Sequence, residues 1–380
     1  MDPANFKSSE FGTTKVDTRE GFTWYDPKPL PRSLPLSDET VVALSLADAA
    51  VGRLDGVAQL LPNTELVATP YAAREAIASS RLEGTHTTLE EMYEAEAGKY
   101  VISAEDILKI TNYRKALHLG MASVANGSLT LGLLKKIHAT LMEGEQLEGP
   151  LGEWRKKPAW VSSPNNSPIT APFVPPIQGR LTVAMKNWQA WQGNQPRLPA
   201  LINIALLHFQ FLSIHPFADG NGRVSRIIIQ LMLSKSGLLS EPLLYVSPYF
   251  ADRRREYFDR LQAVRERGEM QQWLQFFLKA VEVQATDGIK RARAILDLRN
   301  RYHDELAKSR SRAIEVVDIL FEQPILTSQI VEENLGISKS GALNLIRGLE
   351  SRGILIRGAA AGRGGTKYWS SKEVLEILDP

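Results

Sequence analysis

Apolar residues recur at helical spacing along most of the chain, broken by short polar stretches rich in proline and glycine, a pattern that predicts a mainly α protein. Residues 1–38 lack that period. They are polar and hold Asp26-Pro27-Lys28-Pro29-Leu30-Pro31, which reads as an extended arm. Helical periodicity opens near Asp38 and runs to Leu61, where Pro62-Asn63 breaks it. Thr69-Pro70 has the form of an N-cap followed by proline at the first helical position, opening a helix that Gly84 ends. Thr88-Leu89-Glu90-Glu91 is a capping-box pattern for a further helix up to Gly98. The segment 103–141 is again helical, interrupted at Asn126-Gly127. Between 147 and 176, prolines such as Pro158, Pro164 and Pro172 alternate with β-forming residues and predict a short hairpin or flap. Helices resume near Arg180 and reach about Lys279, with a charged connector helix over 290–308. The segment 309–380 reads as two short helices, a third over 338–352, and two short strands, 353–357 and 364–369: a winged helix. These boundaries assign 1–100 to an arm with the first helices, 101–285 to a helical core with its β-hairpin flap, and 286–380 to the connector and winged-helix domain.

Composition narrows the picture little. Across 380 residues the hydrophobic fraction is 43% and the charged fraction 23%, ordinary for a globular chain with ample core. A net charge of +2 demands neither a nucleic-acid nor a membrane partner. With no cysteine there are no disulfides, thiolate metal sites or cysteine nucleophiles. The N-terminus lacks the apolar core of a signal peptide, and no run of about 18 apolar residues could span a bilayer. The expectation is a cytoplasmic protein.

The densest chemistry lies in His215-Pro216-Phe217-Ala218-Asp219-Gly220-Asn221-Gly222-Arg223-Val224-Ser225-Arg226, between two apolar helices. A Gly-rich turn at a helix start presents backbone N–H groups and a favourable dipole to an anion. Gly220, Asn221 and Gly222 form that cradle, and the Asn221 amide offers a further donor. Arg223 and Arg226 fall one helical turn apart and suit phosphate oxygens. Asp219 reads as a ligand for a hard cation or as a helix N-cap. His215 can take a proton near neutral pH. Phe217 reads as a core plug, and His208, Trp188, Trp191 and Trp273 as packing residues.

This stretch fits the Fic signature H-x-F-x-[D/E]-G-N-G-R-x-x-R at every defined position, and the chain resembles the Fic family in weaker form from about Pro35 to Val281. The resemblance implies a Fic-type helical core that transfers AMP from ATP to a Ser, Thr or Tyr hydroxyl of a target protein and of itself, releasing pyrophosphate. ATP and Mg2+ are the implied cofactors, with His215 as catalytic base and Asp219 holding the metal. Arg223 would meet the α/β-phosphates and Arg226 the γ-phosphate. Gly152-Glu153-Trp154-Arg155 resembles the family's G-x-x-R segment beside its flap, and Tyr257, with Phe258 next to it, the residue bordering adenine.

Ser79-Ser80-Arg81-Leu82-Glu83-Gly84 resembles the family's (S/T)-x-x-x-E-(G/N) inhibitory helix, with Ser79 and Glu83 facing the nucleotide and Glu83 competing for Arg226. Ser80 and Glu83 also fit an ordinary capping box. In the tail, Ser338 to Arg347 is the expected recognition helix, with Arg357, Arg363 and Lys367 on the wing. Residues 301–380 hold 11 Lys+Arg and 11 Asp+Glu, so DNA, a protein partner or a homodimer contact all remain open for it. The alternatives to AMP transfer are a nucleotide-sensing DNA-binding regulator, or a Fic enzyme that moves another nucleotide or phosphate group or removes AMP.

Overall fold

Side-chain caps set many of the helix starts. A computed structural model of the chain describes residues 1–61, 63–98, 103–125, 127–146, 149–161, 167–193, 198–307, 311–358 and 366–379. The expected break residues Pro62 and Asn126, the flap residue Pro164 and the wing residue Arg363 lie outside them. The Oγ of Ser37 accepts from the N–H of Thr40 (3.3 Å) at the head of α1 (Asp38–Ala58). Then come α2 (Glu65–Leu82) and α3 (Leu89–Glu96), the latter opened by the Thr88/Glu91 capping box with both bonds formed. The expected start of α2 at Thr69-Pro70 was one turn late. Leu66 and Val67 are buried, and their packing extends the helix past the proline.

The core continues with α4 (Ala104–Val124), α5 (Leu131–Leu141), α6 (Gln178–Gly193), α7 (Ala200–Ile214), α8 (Asn221–Lys235), α9 (Ser247–Asp252), α10 (Arg254–Arg267) and α11 (Met270–Leu306). Helix α7 is apolar all round and buried almost throughout, so it is the central element. The indoles of Trp188 and Trp273 donate to its Leu207 and Ala205 carbonyls (3.0 and 3.1 Å), which fits their reading as packing residues. Helix α8 packs on α7 with α4, α5 and α2 around it, so the loop between α7 and α8 lies against α5 and near the end of α2.

The arm departs from the expected extended segment. It folds back as a hairpin, β1 (Gly12–Asp17) with β2 (Phe22–Pro27), turning at Gly21 with φ +71°. Phe22, Trp24 and Tyr25 bury against Ala171, Phe173 and Val174 of the flap. The flap itself is a single antiparallel bridge, Val161 to Phe173, among the described residues. The Tyr25 N–H donates to Val174 O (2.8 Å), so the arm braces the flap from behind.

The boundary drawn at 285/286 falls inside α11, which runs unbroken from core to tail. The tail has the winged-helix order: α12 (Ala313–Glu322), β3 (Ile325–Leu326), α13 (Ser328–Leu335), α14 (Lys339–Glu350), β4 (Ile356–Arg357) and β5 (Trp369–Ser370), with strand order β3-β5-β4. Ser338 caps α14 through the N–H of Gly341 (3.3 Å). A last helix, α15 (Lys372–Leu378), was not anticipated. Helices α12 and α15 pack on α2. Asp287 of α11 joins Arg74 of α2 (3.2 Å) to Arg291 (2.7 Å), which donates to the Ile377 carbonyl of α15.

Candidate active site

Helix α7 ends at His215, whose backbone is left-handed (φ 51°, ψ 62°). Among the described residues it is the only non-glycine with positive φ, a conformation uncommon outside glycine and concentrated at functional sites. Arg155 enforces it. Its Nε donates to the His215 carbonyl (2.8 Å), its backbone N–H to the Pro216 carbonyl (2.9 Å), and its Nη2 to the Pro176 carbonyl of the flap. Burial first, then the guanidiniums of Arg155 and Arg265, hold the His215 imidazole well below its usual pKa. The residue keeps partial exposure, and the direction of that shift leaves a neutral ring at neutral pH.

The turn is stapled from within. Asn221 Oδ1 accepts from the Phe217 N–H and its Nδ2 donates to the Phe217 carbonyl, both at 2.9 Å. The Asn221 amide, expected to face an anion, is therefore spent on the loop. The Phe217 ring is fully buried and stacks on His138 of α5 at 3.8 Å and 4°. His138 accepts from the Gly152 N–H at Nδ1 (3.0 Å), so its Nε2 carries the proton and donates to the Asp219 carbonyl (3.2 Å). Burial lowers its pKa to about 4 and keeps it neutral.

Gly220 begins α8 in the left-handed region (φ 73°), where a side chain would strike Met142. Asp219 is exposed, and its Oδ1 accepts from the Gly220 N–H (2.6 Å). Among the described residues no cluster of three or more His, Asp or Glu side chains could hold an ion unaided. Asp219 does fit Mg2+ in the manner in which that ion is usually held, by one or two carboxylates together with substrate phosphates.

Glu83 lies over the N-terminus of α8. A Cβ built on Gly222 would collide with its Oε1, so the glycine is what admits the carboxylate. Arg226 is 1% exposed and fully engaged by the α2 end. Its Nε donates to Ser79 Oγ, and its Nη2 to both the Ser79 carbonyl and Glu83 Oε1, all at 2.7 Å. Ser79, Glu83, Gly222 and Arg226 therefore converge at the head of α8. Arg223 is paired as well, with Glu145 in the turn after α5. With Ser80, Glu83, Thr85 and Asp219 this pair lines a cleft of about 550 Å3. His215 is not part of its wall.

Tyr257, expected beside adenine, belongs to the core instead. It is fully buried, donates its hydroxyl to His208 Nε2 (2.8 Å) and stacks on Phe250 at 4.6 Å. His208 in turn donates from Nδ1 to the Ser225 carbonyl (3.2 Å), and burial lowers its pKa to about 3. A base could reach the Tyr257 ring only by displacing these neighbours. Glu145 and His138 carry no motif and were not singled out from the sequence.

Comparison with known proteins bears on this arrangement directly. Residues 41–122 match the family described as Fic/DOC family N-terminal, and residues 128–233 the Fic/DOC family itself. The chain carries the N-terminal and Fic domains of the Fic/DOC family. Residues 314–369 of this Fic chain match a further family, HTH DNA binding domain. Over 188 residues it is 26% identical to the protein adenylyltransferases Fic of Aedes aegypti and of Culex quinquefasciatus, a stretch covering 49% of this chain and 34% of each relative. The Fic chain thus spans about a third of the length of those relatives. Its fold is similar to that of a Fic family protein from Desulfovibrio desulfuricans, at TM-score 0.58 and 19% identity, over 89% of this chain and 97% of the other. A structure of Fic-1 from C. elegans matches at TM-score 0.55 and 16% identity, over 68% of this chain and 74% of the other. No helix among the described residues is long and apolar enough to cross a membrane.

Proposed function

We propose that this Fic protein transfers AMP from ATP to a hydroxyl side chain of a target protein, and to its own, and that Glu83 restrains the reaction. The observation that carries this reading is the Glu83 carboxylate at the N-terminus of α8, hydrogen-bonded to Arg226 at 2.7 Å. An anion at that place meets the helix dipole, the turn's backbone N–H groups and a guanidinium, the combination suited to a nucleotide phosphate. Glu83 is 40% exposed, so it can swing into solvent while Arg226, 1% exposed, stays fixed to Ser79.

In the reaction, neutral His215 accepts the proton of the attacking hydroxyl. The oxygen bonds to the α-phosphorus, the bond from that phosphorus to the β-phosphate oxygen breaks, and pyrophosphate carries away the electron pair. Arg155 holds His215 in its left-handed turn, and Asn221 and His138 hold the loop that orients it. Mg2+, held by Asp219 and phosphate oxygens, would supply charge stabilisation for the leaving pyrophosphate. The support for AMP over other transferred groups is the naming of the relatives as adenylyltransferases, together with the intact motif. Incubation with each of the four labelled nucleoside triphosphates, followed by mass spectrometry, tests it. One AMP added per modified hydroxyl is expected, and exclusive addition of another nucleotide or of a bare phosphate would overturn the choice.

A second reading concerns the tail. The helix-turn-helix match supports duplex DNA as its partner, and Lys339, Arg347, Arg357 and Lys367 line a cleft of about 530 Å3 between α14 and the small sheet. The full chain should bind a duplex fragment with affinity that falls steeply with salt. Arg347→Ala combined with Lys367→Ala should weaken that binding by roughly tenfold or more. Absence of binding at low salt would rule the DNA role out.

A further inference from the structure

Arg223 and Glu145 form the most enclosed ion pair of the cleft, and nothing in the motif calls for it. The contact is end-on and bidentate, Nη1 to Oε1 at 2.5 Å and Nη2 to Oε2 at 3.0 Å, with the two side chains 5% and 7% exposed. The turn that carries Glu145 is itself fixed. The Glu145 N–H donates to the Met142 carbonyl (3.1 Å), and Asn112 of α4 donates to the Glu143 carbonyl (2.6 Å). Met142 also places its sulfur 3.1 Å from Arg223 Nη2. The Arg223 Nε is buried and has no hydrogen-bond partner.

Glu83 and Glu145 therefore differ in kind. Glu83 meets its arginine through one oxygen and is 40% exposed, whereas Glu145 grips the guanidinium by both oxygens from a braced turn. A carboxylate so enclosed is a fixture, since removing it would strand a buried guanidinium. With Glu145 in place, Arg223 brings direction but little net charge. Its plane is set, only one Nη1 hydrogen is left without a partner outside the buried Nε, and its positive charge is cancelled. Arg223 and Lys109 line the cleft against Glu83, Glu105, Glu145 and Asp219, with Arg226 bonded to Glu83 from outside its wall, more negative than positive charge for a site that must accept a polyphosphate.

We infer that Glu145 is a positioning residue: it orients Arg223 for the nucleotide phosphates and, by cancelling the guanidinium charge, holds down the affinity for ATP. This rests on the reading that Arg223 faces the phosphates. In such a site, turnover needs the orientation, while weak polyphosphate binding follows from the charge.

Two substitutions separate these effects, each made in the Glu83→Gly background and measured by ATP titration and AMP incorporation. Glu145→Gln loses the charge and keeps one of the two hydrogen bonds, because its amide nitrogen cannot accept. It should tighten ATP by roughly tenfold, the scale of one charge–charge interaction at partly buried separation, with kcat falling less than it does in Glu145→Asp. AMP, with fewer negative charges, should gain less. Glu145→Asp keeps the charge but cannot reach both nitrogens, so kcat should fall by about tenfold or more with no gain in ATP affinity. Equal behaviour of the two variants, or no tightening in folded Glu145→Gln, would overturn the inference. If Glu145→Gln does not fold, the Glu145→Asp split between kcat and ATP affinity still decides. Arg223→Ala in the same background tells which premise fails. Unchanged ATP binding there removes Arg223 from the phosphates altogether, whereas weakened binding there with no effect at Glu145 removes only the role of Glu145.

Discussion

Glu83→Gly should raise AMP incorporation by about a hundredfold, seen first as self-modification. Glu83 occupies both the Arg226 Nη2 and the space above Gly222. On the proposed reading, that occupation shifts the terminal phosphate of ATP and takes the α-phosphorus out of the line of attack. A displacement of about 1 Å from productive geometry costs on the order of a hundredfold in rate. Arg226→Ala should not reproduce the gain, because it removes the phosphate partner along with its inhibitor. The double variant should behave as Arg226→Ala does, since both residues act through one contact. Equal incorporation by wild type and Glu83→Gly, both folded, would return the α2 end to an ordinary capped helix terminus.

His215→Ala in the Glu83→Gly background should lower incorporation by about a hundredfold to ten-thousandfold, the range a positioned general base contributes. ATP binding should be nearly unchanged, because Arg223, Arg226 and the N–H groups of the turn remain. Alanine tolerates the left-handed backbone of residue 215 less well than histidine, so Arg155 and the Asn221 staple must hold the turn without it. His215→Asn, better suited to that conformation, checks that the loss is chemical rather than conformational. Substantial turnover in either variant would remove the base assignment.

Much of this was legible where residues act locally. The capping residues Thr88 and Ser338 marked helix starts, because a cap depends on the next three residues alone. The motif turn and its flanking apolar helices were legible for the same reason. Glu83 could be assigned to Arg226 through the resemblance of both motifs to one family, whereas the two bonds of Ser79 to that guanidinium have no signature in the sequence. The start of α2 was misread because Leu66 and Val67 gain burial that outweighs the proline. The β1–β2 hairpin was missed because its apolar face is satisfied by the flap, far along the chain. Tyr257 was placed beside adenine by family resemblance alone, and its burial and its bond to His208 Nε2 depend on another helix that the local sequence does not reveal. Glu145 and His138 act across elements with no pattern of their own, so only the packing of α5 on α8 brings them to the loop.

The claim that this site transfers AMP is tested most directly by the position of the label retained from ATP. Glu83→Gly protein is incubated in parallel with ATP labelled at the α-phosphate and at the γ-phosphate, then denatured and washed. The account predicts stable label on protein from the α-labelled nucleotide alone, lost when His215 is also replaced. Label retained from the γ-phosphate, or from neither nucleotide in a folded protein that binds ATP, would contradict it.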